Sequence, residues 1–189
     1  MLRTVRYTSP LKELSDYIVF DTETTGVDPE TDRIIEVGLV EVKNNVIVDK
    51  FGSFVYPGRP IPASASKVNH IYDRDVAEAP SYLQIAPVLA EWLIGKTVVA
   101  HNAQFDVKLV KILLSEAGYS GTIKYVDTLF YSRRIISGVK NYKLQTLAEH
   151  FHIDSGEAHR AVDDAVTCHY LFQKCKEPTD SESFSQKPI

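Results

Sequence analysis

The order of the apolar runs constrains this chain more than any other feature. Tyr17-Ile18-Val19-Phe20 is a short apolar run that breaks off into the polar stretch Asp21 to Gly26, as a buried strand would. Arg33 to Val42 and Val46 to Tyr56 alternate well enough for two more strands, and Asn44-Asn45 between them predicts a hairpin turn. Pro57 to Pro62 is punctuated as loop. Thr97-Val98-Val99-Ala100 and Tyr125-Val126 then predict two short strands. They are interleaved with helical patterns over Tyr82 to Ile94, Ala103 to Ala117 (closed by Gly118), Thr128 to Ile136, Leu144 to His150 and Arg160 to Cys175. Asp127 is placed to cap the helix that follows it. Three strands followed by strands alternating with helices predict an α/β fold, a mixed sheet flanked by helices.

The first dozen residues show no clear pattern, and 177–189 is polar with two prolines. The expected organisation is an N-terminal extension over 1–15, one domain over 16–176 and a disordered tail over 177–189. No apolar run is long enough to span a bilayer, and Met1 to Arg6 lacks the apolar core of a signal peptide, so a cytoplasmic protein without membrane contact is expected. Cys168 and Cys175 lie seven positions apart on one helical pattern, about 10 Å along its axis. That spacing suits neither a disulfide nor a zinc site. The net charge of −4 argues against tight non-specific binding of nucleic acid. It leaves open an enzyme that gathers carboxylates around bound cations, which reverse the local field.

Four acids stand out by position. Asp21 and Glu23 sit two apart at the end of the first strand, so both carboxylates project to one face. The competing reading is a turn with solvated acids. Thr22, Thr24, Thr25 and Gly26 favour a site, because small residues let a ligand approach the backbone. Asp106 aligns with the apolar stripe Leu109, Val110, Leu113 and Ala117, although a first-turn acid favoured by the helix dipole would look the same. In the last helix Asp164 falls within the stripe Ala161, Ala165, Cys168, Leu171 and Phe172. Asp163 falls on a more mixed face, so Asp164 is the better candidate for an inward acid. Buried acids are rare unless paired or bound to metal. Acids from three segments suit a pair of Mg²⁺ or Mn²⁺ ions about 4 Å apart, which serve phosphodiester hydrolysis by activating a water and stabilising a leaving oxygen. A general base is then needed, and His159, nearest the last acid pair, is the histidine best placed. His150 and His152 read as a helix end, and His169 as a surface residue of the last helix.

Three motifs carry a resemblance: Phe20-Asp21-Thr22-Glu23-Thr24-Thr25-Gly26, His101-Asn102-Ala103-Gln104-Phe105-Asp106 and His159-Arg160-Ala161-Val162-Asp163-Asp164-Ala165. In this order and spacing they resemble the DEDDh 3′–5′ exonucleases, among them the epsilon proofreading subunit of bacterial DNA polymerase III and stand-alone relatives. The stretch Asn141 to Leu147 is similar to the family's segment before the third motif. The resemblance implies a ribonuclease H-like fold with a five-stranded mixed sheet. It implies that Asp21, Glu23 and Asp164 bind one metal, that Asp21 and Asp106 hold the second, and that His159 is the base. It also implies substrate contacts from Thr24, Thr25, Ser64, Asn69, His101, Asn102 and Phe105. One departure is plain: where the family often has His-Gly-Ile-Thr, this chain has Asn69-His70-Ile71-Tyr72.

The function so implied is removal of nucleoside monophosphates from DNA 3′ ends, single-stranded or frayed, in proofreading or repair. An exoribonuclease resembling ribonuclease T or oligoribonuclease is the alternative, with RNA as substrate. A non-catalytic nucleic-acid-binding module is the remaining one. Arg133, Arg134, Lys140 and Lys143, in a stretch with no acid, suggest a phosphate-contacting rim. Tyr142, Phe105 and Ile71 are candidates for stacking against the last bases. Association with a polymerase is considered, but little follows Cys175 that could serve as a binding segment.

Overall fold

The computed structural model describes residues 1–176. The expected disorder of 177–189 lies outside them. The strands are β1 (Leu2–Arg6), β2 (Tyr17–Thr24), β3 (Ile34–Lys43), β4 (Val46–Phe54), β5 (Thr97–Ala100) and β6 (Gly121–Asp127). They form one mixed sheet in the order β1-β6-β5-β2-β3-β4. The pairs from β1 to β2 are parallel, and the two pairs that add β3 and β4 are antiparallel. The helices are α1 (Ala63–Asn69), α2 (Asp73–Val76), α3 (Tyr82–Leu93), α4 (Ala103–Glu116), α5 (Thr128–Ile135), α6 (Leu144–Phe151) and α7 (Ala161–Lys176).

The α/β class and the mixed sheet are as expected, and the sheet is one strand wider than five. Leu2–Arg6, which shows no pattern in the sequence, pairs in parallel with Gly121–Tyr125. Only Leu2 of its five residues is buried, so no alternation exists to be read. The Asn44-Asn45 turn is confirmed, with φ of 50° and 65° at the two residues, as a two-residue hairpin requires. Asp127 caps α5 by accepting from the amides of Leu129 and Phe130. Helices α1 and α2 fall in a stretch that the sequence pattern leaves without an element after the loop.

Strand β2 divides its side chains between two cores. Ile18 and Phe20 pack with α3 and α4 through Leu89, Leu109 and Leu113. Tyr17 and Val19 pack on the other face with Leu171 and Phe172 of α7 and Leu147 of α6. The same alternation continues beyond the apolar run. Asp21 and Glu23 therefore take the α7 face, and Thr22 takes the α4 face.

Candidate active site

Register decides what faces the two acids of β2. Asp21 pairs with Gly38, which pairs with Gly52, and Glu23 pairs with Glu36. A Cβ on Gly38 would lie 2.1 Å from the carbonyl carbon of Ala161, and one on Gly52 would lie 2.5 Å from Val162 Cγ2. The two bare positions let the first turn of α7 rest directly on the sheet. Asp164, in that first turn, is thereby delivered beside Asp21 and Glu23.

Asp106 arrives from the other side. It is buried at 5% exposure near the start of α4 and accepts from Thr22 Oγ1 at 2.5 Å. Asp164, at 6% exposure, accepts from Gln145 Nε2 at 2.6 Å and from the amide of His159 at 3.0 Å. The sequence-based preference for Asp164 agrees with this burial, since Asp163 is half-buried and accepts from the amide of Glu157 instead. One ligand atom each from Glu23, His159 and Asp164 lie within 4.8 Å of one another, a spacing one metal ion could bridge.

The electrostatics are those of a site short of positive charge. Burial raises Asp21 well above the carboxylate range, and the charges of Asp106, Asp164 and Glu23 raise it further. Glu23 is pushed up to about 8, by burial and then by Asp164 and Glu36. Asp106 is pushed up to about 7 by burial, against the opposing hydrogen bond from Thr22. Burial also raises Asp164, against the amide of His159. Among the described residues no lysine or arginine forms an ion pair with any of the four. Clustered, desolvated carboxylates without a counter-charge are stabilised by divalent cations, which take oxygen ligands of this kind.

The other expected site residues divide. Thr24 ends β2, and its carbonyl accepts from Asn69 Nδ2 at 3.3 Å. Asn69 is buried, and its Oδ1 accepts from the amide of Ile71 at 3.1 Å. His70 takes φ 56°, the left-handed conformation that glycine adopts easily, so the departure from His-Gly-Ile-Thr keeps the turn. The Thr25 hydroxyl donates to Asp32 at 2.8 Å and accepts from the amide of Arg33 and from Arg59 Nη2, which commits it to its own loop. Both ring nitrogens of His101 are engaged, one with Thr128 Oγ1 at 2.9 Å and one with the Tyr142 carbonyl at 2.8 Å. The imidazole thus ties α5 to the segment before α6. Asn102 is exposed at φ 65°, Phe105 is half-buried, and Ser64 is exposed on α1.

Two side chains lie elsewhere than the sequence suggests. His169 is buried, not on the surface, and hydrogen-bonds the Tyr17 hydroxyl at 3.0 Å. Helix α7 is covered by the sheet and by α5 and α6, so more than one stripe of it is inward. Ile71, a candidate for stacking on bases, is 1% exposed and packs with Ile35, Ile61 and Val76.

A family model described as Exonuclease matches residues 18–172. The chain belongs to the exonuclease family. Among its relatives, the DNA polymerase III subunit epsilon of Treponema pallidum is 38% identical over 159 residues, 82% of this chain and 74% of that one. The PolC-type DNA polymerase III of Caldanaerobacter subterraneus subsp. tengcongensis is 41% identical over 162 residues. That match takes in 86% of this chain, which spans only 12% of the polymerase. Among solved structures, exonuclease X in complex with 5′ overhanging duplex DNA is 26% identical with a TM-score of 0.69, covering 84% of this chain and 90% of that one. E. coli exonuclease I in complex with a dT13 oligonucleotide shares the fold at a TM-score of 0.76 and 14% identity, over 86% of this chain and 41% of that one. No helix among the described residues is long and apolar enough to cross a membrane.

Three supports of the exonuclease site are given no role by the motifs. Gln145 holds one oxygen of Asp164. Glu36, 5% exposed, accepts from Arg160 Nη2 at 2.8 Å and from the amide of Ala161 at 3.3 Å, pinning the start of α7. The Arg160 guanidinium also lies 5.0 Å from the centre of the Phe54 ring. A signal for Glu36 is present in the sequence: a lone acid inside the apolar run Ile34 to Val40.

Proposed function

We propose that this chain is a metal-dependent 3′–5′ exonuclease that releases nucleoside monophosphates from DNA 3′ ends. The observation that carries the reading is the clustering of acids from three segments: Glu23 and Asp164 come within 4.8 Å of each other and of His159, and the charges of Asp106, Asp164 and Glu23 all act on Asp21. In this reading Asp21, Glu23 and Asp164 hold one divalent cation, Mg²⁺ or Mn²⁺, and Asp21 and Asp106 hold a second. Bound cations would supply Lewis acidity to the water and to the departing 3′ oxygen. The chain's own residues supply the rest. The His159 imidazole accepts the water's proton, the general-base task that histidine side chains serve in catalysis near neutral pH. The backbone at Thr24, steadied by Asn69, receives the terminal 3′ hydroxyl. Asn102 and Phe105, at the start of α4, border the next nucleotide.

DNA is preferred to RNA because the relatives are DNA polymerase III proteins and exonuclease X, at 26% identity, is in complex with 5′ overhanging duplex DNA. The same likeness supports a proofreading or repair role, in a polymerase assembly or beside one, in the cytoplasm. The test is a product ladder from matched DNA and RNA oligonucleotides labelled at either end, with Mg²⁺ or Mn²⁺. Stepwise loss from the 3′ end of DNA is expected. Equal or faster shortening of RNA would replace the substrate, and shortening from the 5′ end would overturn the mechanism.

A further inference from the structure

We propose that Arg6, Arg133 and Arg134 form a phosphate-binding track that leads the DNA strand away from the acids, across the ends of β5 and β6 to the outer strand β1. The inference rests on the exonuclease reading only for where the 3′ end sits.

Strands β2, β5, β6 and β1 are mutually parallel, so their C-terminal ends share one edge of the sheet. Asp21 and Glu23 lie toward that edge on β2, Asn102 follows β5, and Asp127 ends β6. Arg6 ends β1, its strand in register with Tyr125. Three strand spacings separate β2 from β1, about 14 Å across, and the register sets Arg6 level with Ile18, about 10 Å along the strand from Asp21. A strand whose terminal nucleotide sits at the acids reaches Arg6 within a few nucleotides.

The cations along this edge are arranged for display. The guanidinium carbons of Arg6 and Arg134 each lie 5.0 Å from the centre of the Phe130 ring. Two exposed guanidiniums are thus held against one aromatic ring. Among the described residues neither forms an ion pair with an acid. Arg133, also exposed, stands close enough to His101 for its charge to oppose protonation there, after the larger effect of burial. It precedes Arg134 in the last turn of α5. Asp127, the acid that ends β6 beside these arginines, is committed to capping α5 and to the amide of Asn102. Lys140, which the sequence places with these arginines, is drawn to Glu149 at 3.6 Å and is left out of the track. In a chain of net charge −4, three exposed arginines free of acid partners on the edge that holds the active site fit a phosphodiester backbone. The planar fork of arginine suits phosphate oxygens, and such contacts set position along a strand without reading its sequence.

The test compares wild type with Arg6→Ala, Arg134→Ala and the double variant, with Lys50→Ala on the opposite edge strand β4 as control. Binding of a fluorescein-labelled single-stranded oligothymidylate is followed by anisotropy in Ca²⁺ over a range of salt. Removing one phosphate-binding side chain should lower the slope of log affinity against log salt by about 0.7, so the double variant should bind roughly 25-fold more weakly near ~0.1 M salt. Hydrolysis of the p-nitrophenyl ester of thymidine 5′-monophosphate, which has no upstream strand, should be unchanged. Affinity and salt slope equal to wild type would overturn the track, as would an equal loss in Lys50→Ala or a parallel loss on the ester. A wild type that hydrolyses neither substrate would fail the exonuclease reading instead, while the binding arm still judges the arginines.

Discussion

The amide of His159 donates to Asp164 Oδ2 at 3.0 Å, so the proposed base and a proposed metal ligand share one joint. His159 sits at φ 65°, outside the helix that Ala161 begins, and its half-buried side chain borders Glu23 and Asp164. The bond is made by the backbone, so removing the imidazole leaves Asp164 in place. His159→Ala should therefore lower kcat by about 10²–10⁴-fold while Mn²⁺ affinity, read by titration calorimetry, changes little. A collapse of metal affinity would make the imidazole a ligand, which its position within 4.8 Å of Glu23 and Asp164 allows.

Gln145 controls the other oxygen of the same carboxylate. Its Nε2 donates to Asp164 Oδ1 at 2.6 Å from the neighbouring helix α6. Removing such a partner lets a ligand rotate, which costs roughly 10–100-fold in metal affinity or activity. Gln145→Leu should lose activity on that scale, and excess Mn²⁺ should recover part of it. Unchanged activity at limiting metal would show that Asp164 is oriented by the His159 amide alone.

Asp164 can be told from Asp163 by helical period, since the pattern of α7 is set by its own burial. Asp106 is legible for the same reason. Periodicity fails where contacts come from distant segments. Nothing local marks Gln145 as the partner of an acid nineteen residues on, and His169 is read as exposed because the second covered side of α7 is supplied by other elements. Strand β1 is invisible because a parallel edge strand with one buried side chain carries no alternation. Gly38 and Gly52 lie between these cases. A glycine inside a strand signals close approach, but only the register shows that α7 is what approaches.

Gly38→Ala tests that approach. The added Cβ would sit 2.1 Å from the backbone of Ala161, which has no flexible end to yield. Moving α7 off the sheet displaces Asp164 and loosens the core around Phe172. Destabilisation of at least ~3 kcal/mol is expected from denaturant midpoints, with activity lost even where the chain remains folded. Near-native stability and activity would mean that α7 sits farther out than described.

The pair of buried Glu36 and partly exposed Arg160 should show part of the asymmetry of a desolvated ion pair. Arg160→Met leaves the Glu36 carboxylate with only the Ala161 amide, at about 2 kcal/mol given the partial exposure of the arginine. Glu36→Leu combined with Arg160→Met should recover much of that loss in thermal unfolding. The double variant should still be slow, because the start of α7 is no longer pinned. A double variant as unstable as the single would show that packing against Phe54, not charge, is what the arginine contributes.

Metal-free stability should fall as pH rises through the neutral range. The folded protein holds protons on Glu23 up to about 8 and on Asp106 up to about 7, and Asp21 is raised as well. The unfolded chain releases these protons near pH 4, so between there and pH 8 the folded state binds more of them and loses stability with each step upward. Their contribution is fully present below the unfolded values and is lost as pH passes the folded ones. His169, depressed to about 4 by burial, acts in the opposite sense, adding stability as pH rises from about 4 to 6.5. Comparing Asp21→Asn with wild type cancels that contribution. In EDTA the variant should be more stable at pH 8 by at least ~1 kcal/mol and nearly equal at pH 4.5, a difference read from unfolding midpoints. Saturating Mn²⁺ should reverse the order at pH 8, because wild type then gains the binding energy that the variant has lost. A variant no more stable than wild type at pH 8 in EDTA would mean that the four acids do not repel one another at this site.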